Sequence, residues 1–237
     1  MFIYKTSHFS IYFGDAEQSI IVDEIVQQKN VSSQISYAAQ RLQASHVAFL
    51  RQSHGVVGLQ IHKQDQVSYF FESDGDYLFT QNIHYGIGVV TADCLPIVLY
   101  DQVTHTAAII HAGWKGLVSG ILQETVAKLV QTIGIIPSNL LVFCGPSARP
   151  CCYEVQPDFM NMFTDYVQDI DMFFIQKNNK IYFDSTSFMI VLARNLGIMY
   201  ENIYTRYNVC TICTVQFCSY RREKEKARRQ ISMVCLH

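Results

Sequence analysis

The sequence predicts a mixed α/β (or α+β) fold, a single domain over residues 1–237 with mixed β-sheets flanked by helices. Three observations point there. Apolar residues make up 49% of the chain, enough for one large core and too many for a disordered or low-complexity protein. Short β-rich runs crowd between residues 67 and 111, and a long helical repeat follows them directly. No internal repeat and no Pro/Gly/Ser-rich linker marks a domain boundary.

In chain order, MFIYKTSHFSIYFGD is apolar but broken by Lys5, Ser7 and His8. It has no clean hydrophobic region and no small-residue cleavage site, so no signal peptide is expected. Residues 17–44 mix apolar and polar positions at helical spacing, with Asn30 the expected break between two helices. VSYFF, DYLFT, GIGVV, CLPIVLY and TAAII read as strands because they are rich in β-branched and aromatic residues. GLVSGILQETVAKLVQTIG repeats apolar residues every three or four positions, the pattern of one amphipathic helix ending at Gly134. LLVFC is a buried strand that runs into the loop GPSARPCC. A helix near 184–196 and strands near 202–205 and 231–235 complete the alternation. No uncharged apolar run reaches about 18 residues, so no membrane-spanning helix is expected.

The formal net charge of -2 offers no pull toward nucleic acid or an anionic membrane, and neither is expected as a partner. The cysteines at 94, 144, 151, 152, 210, 213, 218 and 235 lack the spacing of a small disulfide framework. They read as small buried hydrophobes in a reducing, cytoplasmic compartment, with Cys94 the exception.

Cys94 stands out through its setting, TADCLPIVLYDQVTHTAAIIHAGWKG. Two strand-like runs, 94–100 and 106–111, flank the polar stretch DQVTH. A hairpin turning near Gln102 and Val103 sets Tyr100 opposite His105 and Cys94 opposite His111. Opposed residues share a sheet face with Cβ atoms about 4.5–5.5 Å apart, close enough for a thiolate and an imidazole to reach one metal ion. A slip of one residue would send them to opposite faces. His54, in the loop RQSHGVVG, is the best third ligand, since Gly55 and Gly58 suit a tight backbone, as GWKG does after His111. A His/Cys/His set with the fourth position open describes a catalytic zinc centre. Asp93, beside Cys94, is a candidate partner to a ligand or a proton carrier. Taken singly, a strand-end His or a Cys in an apolar strand is more often a packing residue, so spacing alone does not settle the triple.

At these residues the chain resembles a known family. QSHG, TADCLPIVL, HAGWKG, CGPSARPCCYEV, NVCT and SYRREKEKARRQ occur in the order found in the laccase-domain family. That family is also called multicopper polyphenol oxidoreductase and is now mostly described as purine nucleoside phosphorylase. The resemblance covers residues 52–234, and TADC followed by HAGWKG is its most specific part. It implies that His54, Cys94 and His111 match the family's metal ligands, usually zinc. It also implies phosphorolysis of adenosine, inosine, guanosine and methylthioadenosine, with adenosine deamination as a further activity. A bacterial branch is linked to editing of peptidoglycan precursors in the cytoplasm, which gives an alternative reading as a hydrolase. Departures bear on substrate preference. HFSIYFGDAEQ stands in for the usual GG-containing N-terminal segment, Arg51 for a frequent Asn, Arg149 for a common Gly, and Arg228-Arg229 for the usual GR.

Phosphorolysis sends phosphate to the ribose C1′ as the glycosidic bond breaks, so it needs anion anchors and a donor to the departing purine. Arg221 and Arg222 follow the SYR motif, and Arg51, Lys115 and Arg149 lie in or beside motif loops. Arg222 is expected among the catalytic residues and the other four at the phosphate or substrate. The competing reading of 221–229 is a solvated basic helix face. Deamination needs an activated water and a carboxylate to move its proton, for which Asp93 and Glu154 are candidates. The HxE and PCxxC hallmark of zinc nucleobase deaminases is absent, so that activity would rest on a convergent site.

The histidines, at 8, 46, 54, 62, 84, 105, 111 and 237, include no His-x-His pair, which argues against a multicopper polyphenol oxidase. Copper at the single His/Cys/His triple stays chemically possible. Cys210, Cys213 and Cys218 invite a second zinc through the CTIC spacing. A structural site needs four ligands, and no neighbouring His completes the set, so Cys210 reads as part of the family's CT motif and Cys213 and Cys218 as packing residues.

Overall fold

Two six-stranded sheets face one another, and helices cover both outer surfaces. The computed structural model describes residues 1–23, 32–62, 70–163 and 170–237. The chain opens with β1 (Phe2–Lys5) and β2 (Phe9–Phe13) and passes through helix α1 (Ser33–Arg41). Next come β3 (His46–Arg51), β4 (Gly58–Ile61), β5 (Phe70–Asp74), β6 (Tyr77–Thr80) and β7 (Tyr85–Thr91). The hairpin β8 (Leu95–Asp101) and β9 (Thr106–Ala112) leads into helices α2 (Trp114–Val118) and α3 (Ile121–Ile133) and strand β10 (Leu140–Cys144). Then follow β11 (Glu154–Val155), β12 (Phe174–Lys177), β13 (Lys180–Phe183) and α4 (Ser185–Asn195). The last elements are β14 (Ile203–Tyr204), α5 (Tyr220–Glu223) and β15 (Gln230–Leu236).

One large sheet has the order β1-β2-β15-β7-β3-β5, the other β14-β10-β8-β9-β6-β4, and a small one β11-β13-β12. Both large sheets mix parallel and antiparallel pairs. Ile11, Ile87 and Val234 of the first meet Val98, Ile109 and Phe143 of the second in the central layer. The alternate residues point outward. Ile97, Leu99 and Ile110 pack under α3, α4 and a group of phenylalanines, while Phe49, Val90 and Met233 pack under α1. Strands covered on both faces need apolar side chains at every position, so β7, β8 and β9 are buried throughout and read as continuous apolar runs.

The expected mixed α/β class holds, with two local differences in this region. The β8–β9 hairpin pairs Pro96 with His111 and Tyr100 with Ala107, two residues away from the expected register. The Asp101 carboxylate accepts the Thr104 N–H at 2.9 Å and the Thr104 hydroxyl at 2.5 Å, which moves the turn toward His105 (φ 50°). A shift of two keeps side-chain parity, so Cys94, just before β8, stays on the face of His111 but diagonal to it. The single helix expected over 116–134 is two, parted at Gly120, whose φ of 87° favours glycine. The last two residues of the run VSYFF begin β5, and residues 67–69, like Asn30, lie outside the described residues.

Candidate metal centre and adjoining cleft

His111 sits at the end of β9, and Asp76 stands at the mouth of the neighbouring strand β6. The ladder pairs Tyr77 with Ile110, and the His111 N–H donates to the Asp76 carbonyl at 2.7 Å. The two side chains therefore emerge together, with His111 Nδ1 2.8 Å from Asp76 Oδ1. That bond holds a proton on Nδ1 and turns Nε2 toward ligand duty.

The same carboxylate builds the His54 loop. It accepts the N–H groups of Ser53 (3.3 Å), His54 (3.0 Å) and Gly55 (2.7 Å) and the Ser53 hydroxyl (3.0 Å). Consecutive N–H groups curled around one anion form a concave nest, and it supports the left-handed backbone of His54 at φ 62°. Cys94 Sγ lies 3.8 Å from His54 Nε2, and the rings of His54 and His111 meet edge-on with centroids 4.7 Å apart. The ligand atoms of His54, Cys94 and His111 all lie within 4.8 Å of one another. Gly113 admits this convergence, because a Cβ there would stand 3.0 Å from His54 Cδ2 and 3.2 Å from Cys94 Sγ.

Charge in the triple is strongly coupled. Burial opposes ionisation of Cys94, but the positive charge and hydrogen bond of His111, with the His54 bond, pull the thiol down to about 6. Burial likewise opposes protonation of His111, yet Cys94 and Asp76 together push it up to about 9. Both shifts favour a thiolate–imidazolium pair, and the two imidazoles and the thiolate could serve together as metal donors.

A cleft of about 360 Å³ is lined by Trp114, Tyr153, Glu154, Gln156, Phe159 and Arg221, a size that suits a small molecule. Trp114 follows Gly113, the glycine set against His54 and Cys94, and Tyr153 lies within electrostatic reach of Cys94. Burial, then the negative charges of Cys94 and Asp93, push its phenol above the usual range, against the pull of Arg221.

Residues 22–237 match the family described as multi-copper polyphenol oxidoreductase laccase. The chain belongs to that family. A purine nucleoside phosphorylase of Clostridium acetobutylicum is 28% identical over 98% of this chain and 93% of its own length. One from Aquifex aeolicus is 36% identical over 69% of this chain and 72% of its own. The fold is similar to that of the YfiH protein of Bacillus licheniformis, with TM-score 0.82 over 97% and 93% of the two chains at 22% identity. Among the described residues of this laccase-family chain, no helix is long and apolar enough to cross a membrane.

The structure sorts the other expected site residues of this family member. Glu154 and Arg221 line the cleft; Glu154 also accepts Lys180 at 2.8 Å, and Arg221 donates to the Glu154 carbonyl at 2.9 Å. The exposed Lys115 lies over the Trp114 ring, 5.7 Å from its centroid. Asp93 engages both carboxylate oxygens, accepting the Thr211 hydroxyl (2.6 Å), the Ser219 hydroxyl (3.1 Å) and the Arg221 N–H (2.6 Å). Arg51 forms an exposed ion pair with Asp74, and Arg149 bonds Asn208 and stands 3.8 Å from Asp184. Arg222 differs most from expectation. Its guanidinium donates to the carbonyls of Thr211 (2.8 Å), Ile212 (2.9 Å) and Phe217 (2.6 Å), because that loop has no ladder to satisfy them. Sequence reasoning missed Asp76, Tyr153, Trp114 and Phe159; Trp114 and Tyr153 lie inside the motifs HAGWKG and CGPSARPCCYEV, and Asp76 is an acidic residue at the front of the apolar run DYLFT.

Proposed function

We propose that the protein is a zinc-dependent purine nucleoside phosphorylase of the cytoplasm, acting on adenosine, inosine, guanosine and methylthioadenosine, with adenosine deamination as a second activity. The carrying observation is the His54–Cys94–His111 triple together with a nucleoside-sized cleft whose wall residue Trp114 follows Gly113, the glycine set against His54 and Cys94, and whose wall residue Tyr153 feels the charge of Cys94. Relatives named purine nucleoside phosphorylase support it. The donor set fits zinc: three close N/S ligands with a carboxylate behind His111, leaving a tetrahedral position for solvent or substrate. When bound, zinc supplies Lewis-acid stabilisation of developing negative charge. It is preferred to copper because phosphorolysis transfers no electrons.

The chain's own residues supply the rest. Trp114 and Phe159, with centroids 5.0 Å apart, give apolar walls for a purine. Arg51, Arg149 and Arg222 are committed to other partners, so Arg221 and Lys115 are assigned to phosphate. A phosphate oxygen bonds to C1′ while the C1′–N9 electron pair leaves on the purine, which then takes a proton. Tyr153, held protonated beside Cys94, is assigned as the donor to that leaving base. Glu154, at the cleft wall, is assigned the proton transfers of deamination, and Asp93 the positioning of Cys94 and Arg221.

The test is incubation of zinc-loaded protein with adenosine, with and without phosphate, beside a Cys94→Ala control. Adenine and ribose 1-phosphate should form only with phosphate and only in the unaltered protein, and inosine should form without it. Absence of both products from fully loaded protein, or full activity in Cys94→Ala, would overturn the proposal.

A further inference from the structure

The four-ligand set that CTIC alone could not complete is completed by a second loop. Cys151 and Cys152 lie in the loop after β10, and Cys210 and Cys213 in the loop after β14. A short bridge holds the loops together: Ser147 N–H donates to the Val209 carbonyl at 3.1 Å, and Thr211 N–H to the Ser147 carbonyl at 3.0 Å. All four sulfurs come within 4.8 Å of one another, and those of Cys151 and Cys213 are 3.9 Å apart. Thiolates at about 2.3 Å around one tetrahedral ion stand about 3.8 Å from each other, so the cluster is already near the shape of an S4 site. All four thiols are unpaired, with Cys210 buried and Cys151 and Cys213 reaching the surface, where an ion has access.

We propose that Cys151, Cys152, Cys210 and Cys213 form a second metal site, an all-sulfur centre that binds one zinc ion as a structural staple. Four sulfurs in this arrangement select zinc over hard oxygen-seeking cations. The staple has a clear purpose in the fold. Cys152 precedes Tyr153 of the cleft, and Thr211, inside the CTIC pair, donates its hydroxyl to Asp93 beside Cys94 at 2.6 Å. The loops that carry the cleft walls have few ladder bonds of their own, and an ion bound by both would fix their spacing. The site stands on separate residues from the His54–Cys94–His111 triple and does not depend on the activity assigned there.

Metal content and cobalt spectra test it. Full-length protein purified under reducing conditions with zinc should hold close to two ions per chain, Cys94→Ala close to one, and the double variant Cys151→Ser, Cys213→Ser close to one. Cobalt added to metal-free Cys94→Ala should give the intense sulfur-to-metal absorption of a tetrahedral S4 centre, lost when Cys151 and Cys213 are replaced as well. Because Cys94→Ala keeps all four cluster thiols, its spectrum decides the matter even if the double variant fails to fold. One ion in the unaltered protein and none in Cys94→Ala would overturn the proposal. So would a Cys151–Cys213 disulfide that persists under the reducing conditions and excludes cobalt. Phosphorolysis is scored separately, so either assignment can fail alone.

Discussion

Replacing Asp76 by Asn is the most searching perturbation of the triple, because it keeps shape while removing charge. The carboxylate divides five donors between its oxygens: Oδ1 serves His111 Nδ1 and the His54 N–H, and Oδ2 serves the Ser53 N–H, the Ser53 hydroxyl and the Gly55 N–H. An amide has one acceptor oxygen. With that oxygen toward His111, the new NH2 faces the N–H groups of Ser53 and Gly55, and only the hydroxyl of Ser53 can turn to accept. Two backbone donors left without acceptors cost roughly 2–5 kcal/mol of stability. With the amide reversed, its NH2 drives the His111 proton from Nδ1 to Nε2, the nitrogen a metal needs. Zinc affinity should therefore fall by roughly tenfold to a hundredfold, about 1.4–2.8 kcal/mol, in a chain that is less stable but folded. Competition against a coloured chelator gives the affinity, and thermal melts of metal-free protein give the stability. Zinc affinity within about threefold of the unaltered protein together with an unchanged Tm would refute the reasoning. The acid limb has a definite sign as well. Burial opposes ionisation of Asp76, but the His111 and Gly55 bonds outweigh it and hold its pKa below the usual value. Its contribution is thus present above the unfolded carboxylate range and lost as pH falls through the lowered folded value.

Four further outcomes are expected. Gly113→Ala sets a methyl against His54 and Cys94 and should weaken zinc roughly tenfold while the fold is kept; unchanged affinity would mean that the ligands converge elsewhere. In metal-free protein, alkylation of Cys94 should rise with pH through a midpoint near 6 and be blocked by zinc; a midpoint near the ordinary thiol value, about 8.5, would refute the thiolate–imidazolium pair. Tyr153→Phe should lower kcat for phosphorolysis roughly a hundredfold at unchanged zinc content, and an unaffected kcat would remove Tyr153 as donor. Arg222→Ala should lower stability by roughly 2–4 kcal/mol with the phosphate KM unchanged, and a raised phosphate KM at unaltered Tm would return Arg222 to the phosphate.

The parts legible in the sequence were those whose cause is local. β7, β8 and β9 announce themselves because burial on both faces demands an apolar residue at each position, and α4 forms within the stretch expected to be helical, capped by Asp184. The hairpin gave the right parity for Cys94 and His111 even with the register two residues out, since alternation survives an even shift. What stayed hidden depends on distant chain. β2 is a central strand because it pairs with β15, at the other end of the sequence. Asp76 acts on His111 through the β6–β9 ladder, a relation that no run of neighbouring residues reveals. Cys151 and Cys152 looked like packing residues because their partners belong to another loop. Arg222 read as a catalytic residue from its place after the SYR motif, whereas in the fold its guanidinium caps loop carbonyls.

Asp93 shows why centre and cleft behave as one unit. Its backbone takes φ 86°, an uncommon conformation for a residue other than glycine, and its carbonyl accepts the Ala148 N–H at 2.8 Å. Its carboxylate gathers Thr211 from the cysteine loop together with Ser219 and the Arg221 N–H from the start of α5. One residue along the chain is Cys94. Three stretches are thus referred to a single residue, two through its carboxylate and one through its carbonyl, and that residue leads directly into the β8–β9 hairpin. A site that must present phosphate and a departing base to each other needs its groups held within about half an ångström. Loops alone do not give that tolerance. A proton carrier must exchange partners during turnover, whereas a carboxylate engaged by three donors serves best by staying still. The strain at Asp93 is therefore best understood as the cost of position, which accords with the proposed assignment of proton transfer to Tyr153 and Glu154, both of which line the cleft.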